Sequence, residues 1–435
     1  MTDQTVPKLP SRGYAWLVLL MMVLLYFVNV ADRYVASGLL EEIKKTFEVS
    51  DFFMGFLVGP AFAIVYTMLA IPIARLADRK NRVRIIAAGA IIWSAFTVLS
   101  GLAQTPWTFA AARLGVGVGE AAFLAPAFSL LSDYFAPQRR ALAFAILNFG
   151  VYFGQIFGLV GGAAIAEAFN WRTAFISLGA PGVLLALITL IVVREPIRGQ
   201  LDGGDVPVQK IAQKEISFLK LFSSLWSRRA YRFMAFGTAF GGFASYGFGI
   251  WAPTLFARAF DLSLTEANSR YGGPSFLAGI IGAIALGLLC DRLASRDARW
   301  PFRLAAIGLA GFFISMFILC FVDNVNVATA LTFPAGLMAG GWVIAIQSAL
   351  QDLLPAKARA TGTAIWAFAL TFTGLALGVW FVGGMIDIFT EQYGDQAIRY
   401  ALALTLLATI PSVVFFLMAG RTAIEDRDTL LKELG

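Results

Sequence analysis

The chain has 435 residues, of which 59% are hydrophobic and only 14% charged, and its mean hydropathy is +0.75. A water-soluble fold cannot hide that much apolar surface, and neither a disordered chain nor a disulfide-stapled secreted domain has such a composition, so a polytopic membrane protein remains. The net charge of +7 would raise nucleic acid as a partner for a soluble protein; here the basic residues lie in loops between apolar runs, no nucleic acid is expected, and the charges read as orientation signals.

A span needs about 20 apolar residues to cross a bilayer core of roughly 30 Å. The apolar runs predict spans near 14–40, 51–76, 84–104, 107–134, 141–169 and 171–194, then near 230–258, 268–290, 303–323, 326–352, 359–388 and 396–420. The expected fold is therefore all-α, with twelve transmembrane helices in two six-helix halves: 1–194, a linker over 195–229, and 230–435. The first residues are polar and the run that follows is too long for a signal-peptide core, so no cleavable leader is expected. With the N-terminus inside, the inner segments hold 26 Lys and Arg and the outer loops 6, which predicts that both termini face the cytoplasm. Within the linker, Ile216, Leu219, Phe222, Leu225 and Trp226 form an apolar stripe beside Lys220, Arg228 and Arg229, as in a helix lying on the inner membrane surface. Cys290 and Cys320 lie in apolar runs and read as packed thiols, without a disulfide or metal. There is no histidine, so proton chemistry near neutral pH falls to carboxylates.

The halves echo one another. Leu76-Ala77-Asp78-Arg79 ends the second span and Leu289-Cys290-Asp291-Arg292 ends the eighth. Asp133 and Arg140 flank the turn after span four, as Asp352 and Arg359 flank the turn after span ten. Gly161-Gly162 recurs as Gly383-Gly384. Two parallel repeats of this kind form a transporter architecture with its site between the halves near the midplane.

On these residues the chain resembles the major facilitator superfamily. Ala74-Arg75-Leu76-Ala77-Asp78-Arg79-Lys80-Asn81-Arg82 is similar to its G-x-L-A-D-R-x-G-R signature, departing at Ala74 and Asn81, and Gly287–Arg292 repeats it. Arg113-x-x-x-Gly117-x-Gly119-Glu120 resembles its span-four element. Within the superfamily, Asn29–Tyr34, Gly115–Ala121 and Val193-Arg194-Glu195-Pro196 resemble the Spinster transporters, whose members move lysolipids and sphingosine 1-phosphate. The resemblance implies alternating access, and it implies that charges at the inner helix ends latch the halves: Asp78, Arg79, Arg139, Arg140, Asp291, Arg292 and Arg359. Asp78 is also placed to cap the start of span eleven. Lys80, Arg82 and Arg84 read as plain positive-inside anchors.

Ionisable groups inside the bilayer cost several kcal/mol, roughly 2.5–3.5 each on insertion scales, so they are functional candidates by default. Four stand out: Asp32, Arg33, Arg113 and Glu120. Arg113 and Glu120 lie two turns apart on one face; Asp32 and Arg33 point about 100° apart, with Asp32 expected toward the cavity or a gate and Arg33 toward the outer end. Together they are electrically balanced. Protonating Asp32 or Glu120 would release an arginine, and Arg113 could then take an anionic headgroup bidentately. Asp32 and Glu120 are thus the proton-coupling candidates. Arg113, Glu120, Arg33, Tyr152, Gln155 and Gln347 are the substrate candidates, and Tyr66, Asn148 and Gln351 are polar residues that could line a cavity or glue helices. The inert alternative is an ion-pair network that fixes helix packing. The functional expectation is a proton-coupled carrier of an amphipathic anion, a monomer with no cofactor beyond the proton gradient; the alternatives are a small organic anion symporter and a hydrophobic drug/proton antiporter. With no metal-ligand spacing, serine elbow or phosphate-binding glycine loop, neither an enzyme nor an ATP-driven pump is expected.

Overall fold

The computed structural model describes residues 11–201, 218–354 and 356–434, and among these every regular element is a helix. The first half holds α1 (Arg12–Gly38), α2 (Asp51–Val58 and Pro60–Arg79), α3 (Arg82–Leu102), α4 (Pro106–Glu120 and Leu124–Tyr134), α5 (Pro137–Ile156, a π-helical turn Phe157–Gly161, and Gly162–Ala168) and α6 (Trp171–Val192). The second half holds α7 (Arg229–Phe260), α8 (Leu264–Ala294), α9 (Trp300–Phe321), α10 (Val325–Leu353), α11 (Ala356–Thr371, a π-helical stretch Phe372–Gly378, and Val379–Tyr393) and α12 (Ala397–Leu406 and Thr409–Leu434). Ten stretches are apolar and long enough to cross a bilayer; Gly362–Leu430 holds two helices back to back, and α7 completes the twelve.

Local chemistry sets the interruptions. In α2, Gly59 separates two segments and Pro60 opens the second. In α4, the ring of Pro126 opposes the carbonyl four residues earlier, and the helix breaks over 121–123, directly after Glu120. The sequence pattern predicts both as continuous spans. The two π-helical turns fall at matching places in the repeat, in α5 and α11.

The end that carries the linker is braced from within. Arg82, expected to be a plain anchor, is 1% exposed. Its Nε donates to Glu195 Oε1 at 2.7 Å, and its Nη1 donates to Asp133 Oδ2 at 2.5 Å and to the Ser129 carbonyl at 2.9 Å. Asp133 also accepts from Gly199 N, and Arg198 donates to the carbonyls of Ala77 and Lys80. The signature loop, the end of α4 and the first linker residues are thus one unit. The linker's last part forms a helix, Phe218–Ser227. Its Leu225 is fully buried in a cluster with Leu354, Leu430 and Tyr231. Ser224 and Arg228 bond Glu433 near the end of α12. The predicted surface helix is therefore docked on the second half; Ile216 lies outside the described residues.

The halves meet at the opposite end. There the first segment of α2 packs on the last segment of α11, and a Cβ on Gly383 would collide with the Asp51 carbonyl, so only glycine permits this approach. Arg258 of α7 reaches across to Glu41 and to Asp51, donating to the two Asp51 carboxylate oxygens at 2.7 and 3.0 Å. Asp387 of α11 accepts from the Asp51 and Phe52 backbone N–H groups at 3.0 and 2.8 Å, capping α2 from the other half. Ser37, Asn268 and Glu167 add bonds to Ile250, Gly38 and Thr265. Among the described residues, every hydrogen bond found between the halves lies in this half of the molecule. Arg79, Arg139, Asp291 and Arg292 are exposed at the other end, and among the described residues none bonds across. Arg140 donates to the carbonyls of Ser132 and Phe135, closing the turn after α4. The Asp78 and Arg359 side chains lie outside the described residues.

Two outcomes are expected. Arg82→Ala strands the buried Asp133 carboxylate and the half-buried Glu195 and should cost about 3–5 kcal/mol, read as a fall in thermal midpoint in detergent, whereas Arg84→Ala, at an exposed position, should cost less than about 0.5 kcal/mol. Removing a buried, hydrogen-bonded charge across an interface costs about 2–5 kcal/mol, so Arg258→Ala should open the latched end. Spin labels at Lys45→Cys and Glu391→Cys should then report a longer distance; both native cysteines are buried and stay unlabelled.

Candidate functional site

The four membrane-buried charges converge: α1 packs mainly on α5 and α6, its Asp32–Arg33 stretch is turned toward α4, and close packing around α4 brings α2 and α3 in. A Cβ on Gly119 would collide with backbone N of Trp93 in α3, and one on Gly117 would sit 2.8 Å from the Phe62 carbonyl in α2. Glu120, at the break in α4, pairs with Arg33 of α1. The Arg33 guanidinium lies 4.8 Å above the Phe62 ring and 5.2 Å above Tyr66, so two aromatic faces and one carboxylate hold it. Arg113 lies by the same ring, 5.7 Å from Phe62, and its Nη1 donates to the backbone carbonyl of Asp32 at 3.4 Å. Asp32 is wholly buried, and its Oδ2 accepts from Thr97 at 3.1 Å. Among the described residues its carboxylate makes no ion pair.

These placements revise the expected geometry. Arg33 does not sit at the outer end; it lines a cavity of about 150 Å³ with Glu120, Tyr66, Tyr26, Asn29 and Gln155. Arg113 lines neither this cavity nor the next, and Asp32 lies behind the cavity wall. Glu120 and Arg113 keep the one helical face that their spacing gives them, and both reach α1, Glu120 at the Arg33 guanidinium and Arg113 at the Asp32 carbonyl. Gln347 is exposed and lines neither cavity; Asn148 bonds the Phe144 carbonyl, and Gln351 bonds Thr363.

A second cavity, about 260 Å³, adjoins the first and is set in the second half. Tyr34, Gln155, Tyr246 and Ile250 belong to both, so they form the partition. Gln155 donates to the Tyr34 hydroxyl at 2.9 Å across it. Beyond the partition the lining turns apolar, with Phe276, Phe312, Met316 and Leu370, and Tyr152 at its edge. Several buried polar atoms at the charged end lack a partner: Glu120 Oε1, Arg33 Nε and Asn29 Nδ2. An unmade bond on a buried polar atom costs about 1–3 kcal/mol, so a site with several is built to receive a polar guest or water. The composite is a charged chamber joined to an oily one. Tyr26, Tyr34, Phe62 and Tyr246 were not singled out from sequence; each is an aromatic residue in an apolar run, and only the packing distinguishes it from a lipid-facing ring. Among the described residues there is no cluster able to hold a metal ion.

The sequence matches the Major Facilitator Superfamily over residues 22–379. It is 30% identical over 423 residues to an MFS-type efflux pump of Mycolicibacterium smegmatis, covering 97% of this chain and 96% of that one. It is 26% identical to the sphingosine-1-phosphate transporter SPNS2 of Danio rerio, covering 94% and 84% of the two chains. A solved bacterial homolog of the human lysosomal transporter Spinster, in an inward-facing and unoccupied conformation, superposes with a TM-score of 0.86 at 27% identity, over 96% of this chain and 99% of that one. The same kind of homolog in an inward-facing, occupied conformation gives 0.83. The composition, the twelve helices in two halves and these matches agree: the chain is a membrane transporter, not an enzyme, and it belongs to the major facilitator superfamily, where its relatives include the Spinster proteins.

Proposed function

We propose that the protein is a proton-coupled carrier that moves an amphipathic anion, such as a lysolipid or sphingoid phosphate, by alternating access. The observation that carries this reading is the Arg33–Glu120 pair lining a small charged chamber that opens into an apolar one. An anionic headgroup fits the first chamber and its hydrocarbon tail the second. The names of the SPNS2 relatives fit such a cargo. Arg33 takes the headgroup role that sequence reasoning gave to Arg113, because it borders the cavity. In the resting state Glu120 neutralises Arg33. A proton on Glu120 releases the guanidinium, which then faces the chamber with its charge unmet and receives the anion. Proton and substrate thereby favour each other, as thermodynamic linkage requires of a coupled carrier. Asp32, with Thr97 as its hydrogen-bond donor and Arg113 above its carbonyl, is the second proton site. It acts on the packing of α1 against α3 and α4, without touching cargo.

Orientation follows from the loop charges: both termini face the cytoplasm of a bacterial inner membrane. The latched end is then outer, and the chain is inward-facing, in keeping with the conformation of the solved relatives. The inner helix-end charges, Asp78, Arg79, Arg139, Arg140, Asp291, Arg292 and Arg359, are the groups that close the other end in the alternate state. A second reading, drug/proton antiport, is favoured by the mycobacterial efflux relative and by the uncommitted Glu120 oxygen, which can accept from a cationic drug.

Binding measurements separate these. Arg33→Ala should weaken a phosphate-headed lysolipid about 10- to 100-fold, the worth of a hydrogen bond to a charged group, and leave a neutral analogue within a few-fold. Arg113→Ala should weaken both alike. Affinity for the anion should rise as pH falls in the parent protein, because protonation frees Arg33; Glu120→Gln should hold affinity at the low-pH level with a flat profile. Tighter binding of a cationic drug as pH rises, lost in Glu120→Gln, together with no lysolipid binding, would select the antiport reading.

A further inference from the structure

The partition between the two chambers carries hydrogen-bonding chemistry that the transport cycle above does not use. Of the four residues that border both chambers, two are bonded to each other, Gln155 Nε2 donating to the Tyr34 hydroxyl at 2.9 Å. The bond joins α5 to α1 where these helices touch: a Cβ on Gly158, one turn past Gln155, would collide with the Ala31 carbonyl, one turn before Tyr34. On its other side the Tyr34 ring meets Phe276 of α8 edge-on, 5.7 Å between centroids. Tyr34 is therefore held from both halves of the molecule. The bond leaves each partner one function to spare. A tyrosine hydroxyl that accepts still has a proton to give, and an amide that donates still has a carbonyl oxygen that accepts. Among the described residues neither the Tyr34 proton nor Gln155 Oε1 has a protein partner. Both side chains are half-buried, and Gln155 Oε1, unlike Glu120 Oε1, keeps accessible surface. The two converge. The nitrogen and oxygen of one amide are about 2.2 Å apart, so Oε1 lies within about 5 Å of the Tyr34 oxygen. One guest hydroxyl fits between them, taking the tyrosine proton and giving its own to Oε1, since each such bond spans about 2.7–2.8 Å.

We propose that Tyr34 and Gln155 together read a free backbone hydroxyl on a single-chain lipid phosphate, at the point where headgroup gives way to tail. This role rests on the cargo named above and narrows it. The charged chamber, at about 150 Å³, is about 7 Å across if round, so a phosphate at Arg33 sets the next few atoms of the same molecule at the partition. In an acyl-glycerol phosphate and in a sphingoid phosphate a free hydroxyl lies only a few bonds from phosphorus, on the side toward the chain. A diacyl lipid or a plain alkyl phosphate has none. Either would displace water from the Tyr34 hydroxyl and the Gln155 carbonyl and leave both unmet, which costs binding. The pair thereby selects for a lipid with one chain and one uncapped hydroxyl, a distinction that neither Arg33 nor the apolar chamber makes.

The test is binding to the full chain in detergent at acidic pH, where the proposed cycle frees Arg33. Two matched pairs of probes are used: oleoyl-glycerol phosphate and sphingosine phosphate, each with the deoxy analogue that lacks only the free backbone hydroxyl. The parent protein should bind the hydroxylated member about 10- to 30-fold more tightly, the worth of two neutral hydrogen bonds, and the pair that shows this preference names the backbone. Tyr34→Phe and Gln155→Met should each cut the preference to about three- to fivefold, and the double variant should abolish it. Binding of the deoxy analogue should stay within about threefold throughout, which shows that the variants keep their fold. Equal binding within both pairs by the parent protein would overturn the proposal, as would a preference that persists in the double variant. The two readings fail separately. If the members of each pair bind alike and Arg33→Ala weakens them all, the cargo reading stands and this one falls; if no probe binds the parent protein, both fall.

Discussion

A charge in the middle of a bilayer must be met by another group, because water is not there to meet it. Much of the first half is arranged around that demand. Arg33 meets Glu120 and the faces of Phe62 and Tyr66, Asp32 meets Thr97, and Arg113 meets the Asp32 carbonyl. Those partners come from α1, α2, α3 and α4, so the charges tie four helices into one unit. Glycines at Gly117 and Gly119 let the backbones come close enough for the side chains to reach. The same demand underlies the proposed chemistry, in which a single proton on one member of the pair changes what the other will bind.

The two ends of the molecule are built differently. Among the described residues, the charged contacts found at the linker end are within a half: Arg82 joins the signature loop, α4 and the start of the linker, and Arg228 joins the linker's end to α12. At the opposite end they run between halves, through Arg258 and Asp387. On the proposed cycle, the internal clamps hold each half together and the latch sets which end is shut. That division of labour is what rocking of one bundle against the other requires.

The fold was legible from hydrophobicity and length, since twenty apolar residues in a row have few other uses and the repeat places the halves. The identities of the four buried charges were legible for the same reason: each breaks an apolar run. Their pairing was not. Spacing puts Arg113 and Glu120 on one helical face, but which group of α1 each meets, the Arg33 guanidinium or the Asp32 carbonyl, depends on packing between helices. Arg82 was misjudged because a loop arginine that anchors to headgroups and one that clamps two carboxylates have the same sequence context; Glu195 and Asp133 are far away in the chain and meet it only in three dimensions. The latch was likewise invisible, since Arg258, Asp51 and Asp387 sit near three separate span ends.

The central claim is that freeing Arg33 costs a proton on Glu120, and it is tested most directly by counting protons. With purified protein in weakly buffered detergent solution and a pH-indicating dye, adding a phosphate-headed lysolipid should draw protons from solution as it binds, and Glu120→Gln should bind the same lipid with no uptake. Binding without proton uptake in the parent protein, or undiminished uptake in Glu120→Gln, would contradict the account.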